Sequence, residues 1–484
     1  MRLATKLVLL PTALALSFVG LNGCKVGPNY KIPALPAPPP AQYSDNGQNG
    51  DWQPAAPADR SDRGAWWAVY NDAELDSLEA QCATANQQIA AALHAYEQAH
   101  DLVREVHANL YPTVGIGGTA TRNALSSNEP LRPTTQPLNY WDFLIPVTIS
   151  WEPDFWGGIR RQIESASANA QASAADLATV RLSLQGSLAV TFFQLRGLDL
   201  QAKILRQSLD AYTEALKLTR ARFKGGLASD SDVEEALAQL EETRAELIDL
   251  GVQRALYEHA IAVLIGVPAT NYHIAERPLE GTPPNIPTGI PSELLERRPD
   301  IASSERQVAA ANALIGVAKS AYYPSITLGA AGGLDSDRIG KVFEANSTDW
   351  YAGLAINETI FDAGRRKAQV DYAVAQRAQA TALYRQQVLS AFRNVEDQLA
   401  ALRVLADEAN DTAKAVAAAK NSTNLSTLRY KRGLAQYLEV LTNQTIELND
   451  ERSAATLVTR RILASAQLQM ALGGGWNTSE LPAN

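Results

Sequence analysis

"NLYPTVGIGGTA" occupies residues 109–120, and "AYYPSITLGAAG" occupies residues 321–332. Pro112 answers Pro324, Val114 answers Ile326 and Ile116 answers Leu328, each pair 212 residues apart. Further on, "RFKGGLASDSDVEEAL" (222–237) answers "RYKRGLAQYLEVLTNQ" (429–444), with Arg222 over Arg429, Phe223 over Tyr430, Gly226 over Gly433 and Val233 over Val440, now 207 residues apart. The second offset still holds where Ile265 and Gly266 meet Leu472 and Gly473. The chain is therefore a tandem duplication, and each copy is read as one unit.

Both copies run through the same elements. A helical stretch comes first, "LDSLEAQCATANQQIAAALHAYEQAHDLVREVHANL" or "DIASSERQVAAANALIGVAKSAY", and a proline that cannot continue it ends each one. Two strands follow in each copy. Val114, Ile116, Gly118 and Ala120, then Val147, Ile149 and Trp151, alternate with small or polar residues. Ile326, Leu328 and Ala330, then Trp350, Ala352, Leu354 and Ile356, do the same. Period-two alternation over about ten residues suits a tilted strand in a membrane. After "DFWGGIRR" (154–161) and "FDAGRR" (361–366) come long helical stretches. No proline falls between Gly158 and Lys224, although Gly197 is a candidate break. Leu209, Leu216 and Phe223 are spaced by seven, a coiled-coil period. "KGGLAS" and "KRGLAQ" supply the turns, through Gly225, Gly226 and Gly433, and a second helix returns from each. Ser229 or Asp230 is the expected cap of the first returning helix.

The chain has 484 residues, 46% apolar and 20% charged, with a net charge of −9. That balance excludes a helical membrane protein and argues against a nucleic-acid partner. Of the two cysteines, Cys82 reads as a small buried apolar residue. Cys24 ends an apolar run, Leu7 to Gly20, that follows Arg2 and Lys6 and is too short to span a bilayer. "LNGC" (21–24) resembles a bacterial lipobox, which implies acylation of Cys24 as the first mature residue and attachment to outer membrane lipid. The expected organisation is a signal peptide (1–23), a Pro-rich lipid-anchored strap (24–66), a first repeat (67–280), a second repeat (281–476) and a tail (477–484).

Four strands cannot close a barrel, and open strand edges in lipid would leave backbone groups without partners. Copies of the chain must share one barrel; two, three or four would supply eight, twelve or sixteen strands. The small and polar strand face would line its lumen. Long alanine-rich helices would continue the wall as a cylinder.

"CKVGPNYKIP", "WWAVYNDAELDSL", "DFWGGIRR", "SELLERRPDIASSERQVAAANALIGVAKSAYYPSITL", "FDAGRR" and the terminal "ALGGGW" together resemble the outer membrane factor family of the TolC and OprM type. Within it, the chain is similar to the NodT group of lipoproteins that serve resistance-nodulation-division (RND) efflux pumps. The resemblance implies an α+β, mainly α fold, with a homotrimeric twelve-stranded β-barrel continued by an α-helical barrel through the periplasm. It implies a periplasmic adaptor and an inner membrane RND-type pump as partners, no cofactor and no enzymatic activity. It also places Leu438, Glu439 and Thr442 at a periplasmic aperture on the inner hairpin. Thr442 stands where relatives often carry a second acidic residue. A latch from the Tyr430 phenol to the Asp232 carboxylate is implied as well, with Ala435 in the place of a basic residue that assists it in relatives.

Other readings stay open. His94, His100 and His107 lack the i, i+4 spacing of a helical zinc pair. "GIGGTA" continues as strand instead of opening a helix, which argues against a phosphate loop. "ERRPDI" reads as a helix start, with Arg297 and Arg298 pairing nearby. A duct for type I secretion and a non-conducting lipid-anchored coiled-coil scaffold are the alternatives.

Overall fold

The computed structural model describes residues 25–35, 43, 64–128, 137–286, 297–476 and 481–482. Cys24 lies outside these residues. The elements run α1 (Ala73–Ala85), α2 (Gln87–Ala108), β1 (Thr113–Ile116), β2 (Thr119–Ala124), β3 (Asn139–Trp151), α3 (Gly158–Lys224) and α4 (Asp230–Leu264). The second copy follows as α5 (Pro299–Ser320), β4 (Ser325–Ser336), β5 (Thr348–Asn357), α6 (Arg365–Lys431) and α7 (Tyr437–Ala471).

The duplication carries into the lengths of the elements. Helices α3 and α6 each have 67 residues, and α4 and α7 each have 35, with counterpart ends 207 residues apart. Helices α2 and α5 both have 22 residues and lie 212 apart. At 1.5 Å per residue, α3 and α6 are rods of about 100 Å.

Capping fixes where the helices begin. Asp72 accepts from the Glu74 and Leu75 N–H groups at the start of α1, and Asn86 from those of Gln88 and Ile89 at the start of α2. Pro299 opens α5 in the first turn, where its missing N–H costs nothing. Arg298 then donates to the Ala471 carbonyl at 2.9 Å, closing the C-terminal end of α7. The two motifs before the long helices do the same work. The Asp154 carboxylate accepts from the Ile159 and Arg160 N–H groups at 3.1 and 2.9 Å and from Arg160 Nε at 3.0 Å. Asp362 accepts from the Gly364 and Arg366 N–H groups, both at 3.0 Å, and from Arg366 Nε at 2.8 Å. These main-chain bonds, with the Arg366 guanidinium, hold the Asp362 carboxyl below the usual carboxylate range.

Gly197 is not a break. Helix α3 passes through it unbroken, and a Cβ there would come within 2.5 Å of Thr459 on α7. Its missing side chain is what lets α7 approach.

The sheet has the order β1/β2, β3, β4, β5, antiparallel throughout. Among the described residues there are five strands instead of four, on four tracks: β1 and β2 pair with the same β3 in one continuous register. The gap faces Pro146, whose carbonyl accepts from Gly117 N–H at 3.0 Å but which has no N–H to return. Cys82 is buried, in a cluster with Trp66, Leu75, Phe192, Phe193 and Ile261 that packs α1, α3 and α4 together.

Below that cluster the helices lie side by side in the order α4, α3, α7, α6; above it the order is α2, α3, α5, α6. The long helices thus run through both halves, while their partners change.

A candidate channel wall and its periplasmic tip

Register sorts the strand side chains onto two faces. Val114 and Ile116 stand opposite Ile149 and Val147, which stand opposite Ala330 and Gly332; Ala330, Leu328 and Ile326 face Ala352, Leu354 and Ile356. This face is continuous and apolar across all four tracks, and Ile116, Trp350 and Ile356 are 77%, 81% and 61% exposed in the protomer. The opposite face carries Thr113, Gly115, Thr148, Ser150, Thr327, Gly329, Gly353 and Ala355. Toward the end away from the helices it adds Asp142, Asp335 and Asp349. A greasy outer face and a small, polar inner face are what a barrel wall in lipid requires. Trp151 and Trp156 stand at the base of the sheet, donating to the Leu110 and Pro324 carbonyls at 2.9 and 2.7 Å.

The strap docks just below that base. Val26 N–H donates to the Trp156 carbonyl at 3.1 Å. The buried Arg161 guanidinium donates to the Val26 and Gly27 carbonyls and to Asn29 Oδ1, at 3.0, 3.1 and 2.9 Å. Lys25 and Arg161 both reach Glu164, at 2.5 and 2.8 Å. Burial works to raise the Glu164 pKa, but those two cations outweigh it and hold the carboxyl below its ordinary value.

Midway along the helices, a buried ion network ties the crossing between the copies to the first copy. Asp199 is bonded by Arg196 at 3.1 Å, by Arg254 at 2.8 Å and by the Arg277 N–H at 2.9 Å. Arg196 reaches on to Glu74 and to the Ala275 carbonyl.

At the far end, both hairpin turns close in the same way. Leu227 N–H donates to the Arg222 carbonyl at 2.8 Å and Leu434 N–H to that of Arg429 at 2.9 Å, with Gly226 and Gly433 at φ +73° and +75°. This is the Schellman geometry, which favours glycine at that one position. Gly225 lies in the turn without needing to be glycine: its φ is −85°, and its counterpart is Arg432 at −87°. Ser229 caps α4 in a reciprocal box with Asp232, at 3.1 and 2.9 Å.

That box changes the partners expected at the tip. In the protomer the Tyr430 phenol donates to Thr219 Oγ1 at 3.3 Å and not to Asp232, whose carboxylate accepts the Ser229 N–H. Tyr430 is held instead by Arg222, which donates to its carbonyl at 2.8 Å with the guanidinium 4.6 Å from the ring centre. Glu439 accepts from Arg429 at 2.7 Å, so it is a paired carboxylate here. Leu438 is 55% exposed, and the Thr442 hydroxyl donates back to its carbonyl at 2.8 Å.

The sequence profile described as outer membrane efflux protein matches residues 80–267 and again residues 290–474, one segment in each copy. The chain belongs to the outer membrane efflux protein family. It is 32% identical over 428 residues to the pyoverdine export outer membrane protein OpmQ of Pseudomonas aeruginosa, covering 88% of this chain and 90% of that protein. It is 28% identical over 472 residues to the solvent efflux pump outer membrane protein SrpC of Pseudomonas putida, covering 95% and 97%. The solved outer-membrane channel OprN superposes with a TM-score of 0.86 at 28% identity, over 94% of this chain and all of that one. As a member of this family the protein is an outer-membrane efflux channel component, with its helical portion in the periplasm.

The capping aspartates, Arg161 and Arg222 were not picked out by sequence reasoning. Asp154 and Asp362 had a signal, an Asp-x-x-Gly or Asp-x-Gly run before a long helix with an arginine in its first turn. Arg161 had none, because its partners in the strap lie more than 130 residues away.

Proposed function

We propose that three copies of the chain form the passive exit duct of a tripartite efflux system, anchored in the outer membrane by acylated Cys24. A periplasmic adaptor and an inner membrane RND-type pump are the partners. Four strand tracks per chain give a twelve-stranded barrel, and each long helix continues the wall into the periplasm. The observation that carries this reading is the single register that puts Val114, Ile116, Val147, Ile149, Ile326, Leu328, Trp350, Leu354 and Ile356 on one face, while among the described residues β1/β2 and β5 end the sheet as unpaired edges. Unpaired edges in lipid are too costly to leave open, so another copy must complete them. The flanking helices agree: α4 exposes Ile248, Val252 and Leu256, and α6 exposes Leu383, Leu389 and Val404, on the two outer sides of the wall. A lumen of Gly, Ala, Ser and Thr, with Asp142, Asp335 and Asp349 at its outer end, sieves by size and charge, which leaves substrate choice to the pump.

Native mass spectrometry of the detergent-purified protein should give a trimer carrying acyl chains on Cys24, and planar bilayers should show single-channel conductance. A monomer, or a trimer without conductance, would refute the duct. An unmodified Cys24 would refute only the anchor, as would a Cys24→Ser protein indistinguishable in mass at its N-terminal peptide apart from the substitution.

A further inference from the structure

Arg222 and Arg429 are counterparts across the duplication, as are Tyr430 and Phe223, and Asp232 and Glu439. Their surroundings in the protomer are unequal. Arg222 leaves its own hairpin and covers Tyr430 of the second hairpin, which also packs against Tyr437 and is 3% exposed. Arg429 stays within its own hairpin on Glu439 and is 56% exposed, and Phe223 is 45% exposed on the face of the first hairpin that corresponds to the covered Tyr430. The hairpins lie in the order α4, α3, α7, α6, so the first hairpin meets the second within the chain, while α6 and α4 are left as flanks. The contact inside the chain therefore has a counterpart between chains, and half of it is present on each flank.

We propose that Arg429 of one protomer clasps Phe223 of the next, its guanidinium over the ring and its N–H donating to the Phe223 main-chain carbonyl, as Arg222 does to Tyr430. A guanidinium at the last turn of a helix adds a donor to a carbonyl that already accepts from the turn, from Gly433 N–H at Tyr430 and from Gly226 N–H at Phe223, both at 2.9 Å; it complements the negative helix end, and over an aromatic face it gains a cation–π contact. On making this clasp Arg429 exchanges Glu439 for the neighbouring chain and frees the carboxylate. The six hairpin tips then close in a ring of alternating contacts, Arg222 to Tyr430 within a protomer and Arg429 to Phe223 between protomers. The inference rests on the trimeric reading above, and its test separates the two.

The full-length lipoprotein carrying Phe223→Cys and Arg429→Cys is treated in detergent with a short bismaleimide and run on a denaturing gel. Linkage should shift the monomer band to bands of two and three times its mass. The Arg222→Cys, Tyr430→Cys pair, whose side chains already meet within one chain, should link without forming higher bands. If native mass spectrometry shows the trimer and the control pair links, but the 223/429 pair leaves only monomer on the gel, the clasp is overturned and the trimer stands. If the parent protein is not a trimer, both fall. Co-expressed single variants, Phe223→Cys in one tagged copy and Arg429→Cys in another, keep half of the native contacts should the double variant fail to assemble. A mixed-tag dimer band from them supports the clasp, and its absence from assembled mixed trimers overturns it.

Discussion

Arg161 holds the main chain of Val26 at 3.0 Å across 135 residues of sequence, and so fixes the start of the strap against the top of α3. Its guanidinium spends three further bonds on Gly27, Asn29 and Glu164 while remaining buried. Arg161→Ala would leave those carbonyls without this donor, at about 1–3 kcal/mol for each buried group, and the Glu164 carboxylate with Lys25 alone. The expected outcome is a folded channel whose N-terminal strap is cut early in limited proteolysis, with Arg161→Lys intermediate. A cleavage pattern identical to the parent's would show that the strap is held by something else.

The tip should respond more to Arg222 than to Tyr430. Tyr430→Phe removes one long hydroxyl bond to Thr219, at about 0.5–1.5 kcal/mol, whereas Arg222→Ala removes the carbonyl bond and a cation–π contact worth about 0.5–2 kcal/mol more. In planar bilayers, Arg222→Ala is expected to raise conductance or open time, and Tyr430→Phe with Asp232→Ala to change it less. The reverse ranking would restore the Tyr430–Asp232 latch as the main restraint.

Glu439→Gln removes a carboxylate from the tip and leaves Arg429 in place. Repeated around a threefold axis, this shifts the local charge by three units toward positive, over a distance comparable with the Debye length of about 8 Å. Cation-over-anion permeability should fall by roughly twofold or more, whether Arg429 faces Glu439 or a neighbouring chain. Reversal potentials in a salt gradient measure it, and an unchanged ratio would remove Glu439 from the pore lining.

Glu79 is fully buried on α1, neither of its oxygens has a hydrogen-bond partner, and burial, with Asp76 adding repulsion, pushes its pKa up to about 9. The folded state therefore keeps a proton that the unfolded chain releases near pH 4.5, so stability falls as pH rises from about 4.5 to 9. Glu79→Gln keeps the shape without the titration. Its melting temperature should match the parent's at pH 4.5 and exceed it at pH 8, by the equivalent of about 1–3 kcal/mol. Parallel melting curves at both pH values would contradict this.

What could be read in advance followed short-range rules. Period-two alternation placed Val114, Ile149, Leu328 and Leu354 on one face, and the two offsets anticipated the paired helices and both tip turns. The two misreadings of the fold, at Gly197 and in the strand count, come from contacts between separate parts of the chain. Gly197 resembles a helix break until Thr459 of α7 is packed against it. Pro146 splits a strand that lies about 30 residues before it in the chain. In the protomer the turn brings Arg429 to Glu439, and Asp232 caps its own helix, pairings that periodicity does not announce. Helical and strand periodicity reports which face a residue occupies, and says nothing of which partner arrives there from the other copy.

The matched lengths of the paired helices act as a tolerance on the protein's evolution. Because α3 and α6 have 67 residues each, and α4 and α7 have 35 each, both hairpin tips finish at the same depth. Loss of three residues from one long helix would lift its tip by about 4.5 Å and turn its buried seam about 60° out of line. A partner docking on a level rim would then meet a step. Insertions and deletions along these helices should therefore survive only as twins, one in each copy at corresponding depth, whereas the loops at the outer end of the sheet are free to vary singly.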